Sequence, residues 1–243
     1  TWTRTNEDRN LRQRAWYFST LTVHPRNPDV LYCPQVAMLK SIDGGKSFTR
    51  MGLEKCAHVG RIAIHPADPN VVFVAAAGRT WGQNPERGLY RTRDGGATFE
   101  RVLFVDDQTG AIDVAIDPAD PDFVYASLWE RQRDEFAGGD PAKQSGPGSG
   151  LFRSTDGGTT FTRLAQGLPT VKLGRIGIEL WQKDPKVVFA IVESELTGKP
   201  APGEDAARAE PAWFGVRGEA AEGAYLVNEA IEGGPAAKAG IRK

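Results

Sequence analysis

Four carboxylates stand where chemistry could sit: Asp113, Glu130, Asp134 and Glu135. Cleavage of a glycosidic bond usually needs two carboxyl groups flanking one bond. No pair among these four is fixed by the sequence. Eight other residues suit ligand binding. Arg61, Arg175, Arg79 and Arg131 suit carboxylates and other anions, as do Arg87 and Arg133 beside them. Trp81 and Trp129 suit stacking against a sugar or a peptide. The bland reading of the same residues is an ordered tryptophan lid and a ring of salt bridges between sheets. No Ser-His-Asp or zinc pattern is present: His24 and His65 fall in turns and His58 stands alone. No metal and no cofactor is expected. Cys33 and Cys56 lack metal-like spacing; two unpaired small apolar residues and a disulfide both remain open.

What must position these residues is a repeat. Three segments align without gaps: Lys40-Ser-Ile-Asp-Gly-Gly-Lys-Ser-Phe-Thr-Arg50, Arg91-Thr-Arg-Asp-Gly-Gly-Ala-Thr-Phe-Glu-Arg101 and Arg153-Ser-Thr-Asp-Gly-Gly-Thr-Thr-Phe-Thr-Arg163. Each reads Ser/Thr-x-Asp-x-Gly-x-x-Phe. The members are Ser41, Asp43, Gly45 and Phe48; Thr92, Asp94, Gly96 and Phe99; and Ser154, Asp156, Gly158 and Phe161. The aspartates lie 51 and 62 residues apart, a period of blade size. Asp-Gly-Gly suits a tight hairpin with positive φ. The carboxylate can accept from N–H groups of its own turn, and the aromatic restarts a strand. These twelve positions are therefore expected to be structural. A calcium loop would need more carboxylates and a distal Glu.

A second repeat precedes each box. It runs Leu21-Thr-Val-His-Pro-Arg-Asn-Pro-Asp-Val-Leu-Tyr32, Ile62-Ala-Ile-His-Pro-Ala-Asp-Pro-Asn-Val-Val-Phe73 and Val114-Ala-Ile-Asp-Pro-Ala-Asp-Pro-Asp-Phe-Val-Tyr125, with a looser copy over 176–189. Each copy is a short strand, a Pro-rich turn and another strand. With the strands around Asp-Gly-Gly this makes four antiparallel strands, A to D, per unit. That is a propeller blade. The fold class is all-β: a partial β-propeller with a short C-terminal addition. The A–B and C–D turns share one face, so the B–C loops lie on the other. Those loops carry Arg79, Trp81, Trp129, Glu130 and Arg131, and loops on a rigid scaffold collect function. The aligned A-strand positions Thr20, Arg61, Asp113 and Arg175 are expected to face the central channel, with Asp113 bridging the two arginines.

These strings, with Gly60-Arg-Ile-Ala-Ile-His-Pro66, Gly146-Pro-Gly-Ser-Gly150, Leu173-Gly-Arg-Ile-Gly177 and Arg14-Ala-Trp-Tyr-Phe18, resemble the bacterial sortilin-like Asp-box (BNR) propellers, often labelled glycosyl hydrolases. The resemblance covers about 1–195. It implies an extracytoplasmic location, periplasmic or secreted. In that family the Ala-Trp-Tyr-Phe blade follows the Leu-Gly-Arg-Ile blade; here it comes first. The arginine triad and Tyr–Glu nucleophile of a sialidase are not assembled. Thr1-Trp-Thr-Arg4 reads as the tail of a further box. Residues 196–212 read as a low-complexity linker. Residues 213–243, with Gly233-Gly-Pro-Ala-Ala-Lys-Ala-Gly240, resemble the beginning of a PDZ domain, which implies peptide capture by strand addition.

Bulk composition agrees with this organisation. The 243 residues carry 30 basic and 31 acidic side chains, so nothing basic points to nucleic acid. No run of 18 apolar residues suits a membrane span. The 28 Gly and 16 Pro match many turns between short strands. The expected function is non-catalytic binding of a peptide or carbohydrate on the B–C loop face, with further blades as partners. The alternative is an Asp-box glycoside hydrolase using paired carboxylates.

Overall fold

The computed structural model describes residues 2–12, 20–133 and 142–197, and the backbone of 216–221 and 224–230. The chain divides into two compact units, Thr1–Glu195 and Leu196–Lys243. The first is built of antiparallel sheets whose strands lie side by side in chain order. The first sheet holds β1 (Thr22–Val23), β2 (Leu31–Pro34), β3 (Met38–Ser41) and β4 (Thr49–Arg50). The second holds β5 (Val59–Ile64), β6 (Val72–Ala76), β7 (Gly88–Thr92) and β8 (Glu100–Leu103). The third holds β9 (Thr109–Ile116), β10 (Phe123–Glu130), β11 (Gly150–Thr155) and β12 (Thr162–Leu164). A fourth sheet is described by its first two strands, β13 (Leu173–Leu180) and β14 (Val188–Ser194). In the second unit β15 (Val216–Ala221) pairs with β16 (Ala224–Ala230). The sheets of the first unit are the blades of a β-propeller.

The blades hold together because the middle sheets bury both faces. In β6 every residue is buried, and the side chains alternate in destination. Val72, Val74 and Ala76 join Tyr32, Met38 and Cys56 of the preceding blade and its connection. Phe73 and Ala75 turn the other way, against Ala111, Val114, Val124, Ala126, Leu128 and Phe152 of the third sheet. Next comes Tyr125 and Leu151 against Leu173, Ile176, Ile178 and Leu180. The beginning of β9 lies so close to the second blade that a Cβ at Gly110 would fall on the Ala77 carbonyl. Cys33 and Cys56 are free thiols, both buried, which selects the unpaired reading. Burial pushes the Cys56 thiol up to about 11.

The Asp-Gly-Gly hairpins repeat one hydrogen-bond pattern three times. Ser41 Oγ donates to Asp43 Oδ1 at 2.7 Å and accepts from Gly45 N at 2.9 Å. Asp43 then accepts from Ser47 N at 2.9 Å and Ser47 Oγ at 2.6 Å. Thr92, Asp94, Gly96 and Thr98 reproduce this, as do Ser154, Asp156, Gly158 and Thr160. The second glycine has φ of 85°, 102° and 78° in the three turns, a region that favours glycine. Phe99 and Phe161 pack onto the inter-blade cores; Phe48 is half-buried beside Gly45.

A cation from the third strand of the first two blades reaches the next blade's turn. Lys40 Nζ donates to Gly95 O at 2.8 Å, and Arg91 Nη1 donates to Gly157 O at 2.6 Å. Each lies over an aromatic of the neighbouring second strand: Lys40 over Tyr32 at 5.4 Å, Arg91 over Phe73 at 6.0 Å. The third copies, Arg153 and Tyr125, line a cavity of about 400 Å³ together with Val188, Ala190 and Val192 of β14.

Two outcomes follow from this arrangement. Arg91 is 4% exposed, so Arg91→Ala strands the Gly157 carbonyl and is expected to cost about 2–3 kcal/mol in urea unfolding. Lys40→Ala, at a less buried position, is expected to cost less; equal or negligible losses would remove the inter-blade tie. Hydrogen bonds from the Ser47 hydroxyl and amide and from Ser41 hold the Asp43 carboxyl down at about 2. Those of Thr92 and Thr98 depress Asp94, and those of Ser154 and Thr160 depress Asp156. A depressed folded-state pKa contributes stability above the ordinary carboxylate range that is lost as pH falls through the folded value. The unfolding midpoint is therefore expected to drop between about pH 4 and pH 2, and Asp94→Asn to flatten that drop.

Candidate functional site

The A strands bring Thr20, Arg61, Asp113 and Arg175 around one depression of about 590 Å³, also lined by Ile112. A register shift between Ser127 and Leu128, opposite the Asp113 region of β9, interrupts the alternation there. Asp113 is consequently 9% exposed and faces the next blade as well as the depression. Its Oδ2 accepts from Ile178 N at 3.0 Å and its Oδ1 from Val114 N at 2.9 Å. Arg61 Nη1 stands 3.4 Å from Oδ1, and Arg61 Nη2 stands 3.2 Å from Glu179 Oε2. Burial raises the Asp113 pKa against the lowering effect of the Ile178 amide and Arg61. Asp113 thus bridges Arg61 to β13, and the cation it shares links it to Glu179. Arg175 is exposed, and its amide donates to Glu193 Oε2 at 3.2 Å.

Glu179 escaped the sequence reading. The signal for it was the period-2 pattern of β13, where Arg175, Gly177 and Glu179 are the exposed set.

Glu130 has a different setting. It is 3% exposed; its Oε2 accepts from Gly148 N at 2.8 Å, and it pairs with Lys143. The β10 amide at the same residue donates to Ser149 Oγ at 2.9 Å. Glu130 therefore anchors the glycine-rich return to β11. It does not line the Asp113 depression, so these two carboxylates do not share a cleft. Asp134 and Glu135 lie outside the described residues.

The two B–C loops meet at the end of the A strands. Arg87 is fully buried and donates to the carbonyls of Gln108, Arg131, Arg79 and Gly82. Arg133 N donates to Thr80 O at 3.0 Å, and Trp81 forms a parallel bridge with Arg133. Trp81 is 52% exposed; Trp129 is 8% exposed. The Trp129 indole donates to Gln144 O at 2.7 Å and Arg131 covers its ring at 5.1 Å. Trp129 is thus a packed lid residue, whereas Trp81 keeps a face open to solvent. Arg79 is exposed, its amide tied to Asn84 Oδ1 at 3.1 Å.

The histidines of the A–B turns serve those turns. His24 Nδ1 accepts from the amides of Arg26 and Asn27, and His65 Nδ1 from those of Ala67 and Asp68. Asp117 does the same for Ala119 and Asp120, so His and Asp are interchangeable acceptors in this repeat. Among the described residues no group of three His, Cys, Asp or Glu side chains could hold a metal ion, and no helix is long and apolar enough to cross a membrane.

No protein-family profile and no curated protein matches the sequence. Solved structures do. An ancestral GH74 enzyme aligns with a TM-score of 0.53 at 19% identity, over 72% of this chain and 21% of its own. A GH74 xyloglucanase from Xanthomonas campestris aligns at 0.44 and 19% identity, over 70% and 26%. A GH74 enzyme from Niastella koreensis aligns at 0.38 and 17% identity, over 59% and 28%. The chain spans about a fifth of the length of the ancestral enzyme, and at this identity the likeness is one of fold.

The Asp113–Arg61 contact gives a titration test. Arg61→Ala removes the cation that opposes burial, so the Asp113 carboxyl is expected to titrate at higher pH than in the parent protein, followed by side-chain carboxyl NMR. An unchanged midpoint would show that the 3.4 Å pair is not felt in solution.

Proposed function

We propose that this chain is a ligand-binding region of an extracytoplasmic, sortilin-like Asp-box propeller, and that it recognises a carbohydrate or peptide without cleaving it. The observation that carries this reading is the occupation of the described carboxylates. Asp113 is held by two backbone amides and Arg61, and Glu130 by Gly148 N and Lys143. General acid–base cleavage would need two carboxyl groups facing one bond. What remains available to a ligand is the open depression with Thr20, Arg61 and Arg175, and the solvent face of Trp81. Three identical Ser/Thr-x-Asp-x-Gly turns support the Asp-box assignment. The β15–β16 hairpin and the Gly233–Gly240 string support a PDZ-like segment that would capture peptides by strand addition.

One observation favours a second reading, a propeller glycoside hydrolase. The Asp113 pKa is raised by burial beside the depression, the setting of a carboxyl kept protonated for donation. The fold likeness to an ancestral GH74 enzyme is compatible with it.

The two readings separate in one assay on the full chain. A panel of neutral, xyloglucan-derived and acidic oligosaccharides and C-terminal peptides is followed for both binding and reducing-end release. Saturable binding without release, weakened by Arg61→Gln, is the expected outcome. Release that disappears in Asp113→Asn or Glu130→Gln would make the chain a hydrolase.

A further inference from the structure

The second strands carry one ring each at an equivalent place: Tyr32, Phe73, Tyr125 and Phe189. In three blades the ring's cross-strand neighbour is a cation. Tyr32 pairs with Lys40, Phe73 with Arg91 and Tyr125 with Arg153. Lys40 and Arg91 each donate to the first-glycine carbonyl of the next Asp-Gly-Gly turn. Arg153 is exposed and has no hydrogen-bond or ion-pair partner among the described residues.

The arriving hairpin brings more than a carbonyl. Its second glycine fits closely: a Cβ at Gly158 would fall 2.5 Å from the Phe73 ring, and one at Gly96 2.9 Å from Met51. It also brings two aromatics. Tyr90 and Phe99 pack between the first and second blades, Phe152 and Phe161 between the second and third. Between the third blade and the fourth sheet the described core has no third-strand or Asp-box aromatic of this kind. In that place lies the cavity of about 400 Å³, with Tyr125, Arg153 and Leu164 on one side and Val188, Ala190 and Val192 on the other.

β14 is the edge beside that cavity. Among the described residues it pairs with β13 alone, whereas β6 and β10 pair on both sides. Every residue of β6 is buried, but Phe189, Ala190 and Ile191 of β14 are exposed. No charge interrupts 187–192. An apolar edge with unpaired amides and carbonyls is a template for another strand. The three Asp-Gly-Gly strings of the 243 residues are already built into the first three blades.

We propose that β14 and the cavity beside it are the docking site for a fourth Asp-box hairpin, brought by a polypeptide outside these 243 residues. Its first strand adds antiparallel to β14. Its first-glycine carbonyl accepts from Arg153 across the Tyr125 ring, and its second glycine lies against that ring. It carries the pattern of the second and third hairpins, aromatic-Arg-Ser/Thr-x-Asp-Gly-Gly-x-x-Phe, and both aromatics enter the cavity. An unrelated strand would satisfy the edge but not Arg153, and a second copy of this chain has its own hairpins committed. The proposal concerns assembly and stands apart from the ligand-binding reading.

The test titrates a labelled peptide with the sequence of residues 150–164 into the full chain. Fluorescence anisotropy follows binding, and amide hydrogen exchange follows 188–194. Saturable binding and slower exchange in β14 are expected. Arg153→Ala is expected to weaken binding roughly tenfold, the value of one charge-assisted hydrogen bond. Arg153→Lys is expected to restore most of it, since Lys40 does the same work in the first blade. Gly158→Ala in the peptide is expected to weaken binding too. Arg153 is exposed, so its variants keep the fold. The same hairpin joined behind Lys243 by a Gly/Ser linker raises its effective concentration to the millimolar range. Neither binding by the free peptide nor protection in the joined form would overturn the proposal's site. Equal binding by a scrambled peptide, or no effect of Arg153→Ala, would overturn its occupant. Dimerisation of the chain alone with protection of β14 would give the edge to a second copy and overturn it as well.

Discussion

The first and second blades are each tied to the next by a cation laid across an aromatic ring onto the carbonyl of a neighbouring turn. Lys40 reaches Gly95 O and Arg91 reaches Gly157 O. That bond needs a turn whose carbonyl sits in a fixed place. The Asp carboxylate supplies this by accepting from amide and hydroxyl two strands' ends at once, as Asp94 does with Thr98 and Thr92. The repeated Asp is therefore bound up with blade assembly. Its full exposure in the second and third turns is a consequence: the carboxylate works on its own loop, so it has no need of burial.

Packing between blades then decides what is left for function. Because β6 and β10 bury both faces, apolar alternation fades in the second strands and survives in β13, where one face looks outward. Charged residues are admitted to the inner strands only where a partner meets them. Asp113 is admitted because Ile178 N and Arg61 satisfy it; in β10, Ser127 is satisfied likewise by donating its hydroxyl to Ile176 O. Asp113 thus does two jobs at once, joining blades and lining the depression.

The loop end obeys a different balance. Arg87 holds three loops together through carbonyls alone, which fixes a charge beneath Arg131 without neutralising it. Trp129 is covered by Arg131 and anchored to Gln144, which leaves Trp81 as the aromatic of that pair with an accessible face.

The sequence by itself determined the blades: three Ser/Thr-x-Asp-x-Gly turns and the Pro-rich strand pairs are local signals, each closing hydrogen bonds within about five residues. It also aligned Thr20, Arg61, Asp113 and Arg175, since equivalent repeat positions share a place in each blade. Only the tertiary structure decided which of these positions meet. Asp113 belongs to Ile178 and Arg61, Glu179 joins them from 118 residues beyond Arg61, and Glu130 serves a loop instead of a cleft. The reason is physical: turn geometry is written in neighbouring residues, whereas the partner of a buried charge is chosen by how one blade packs on the next.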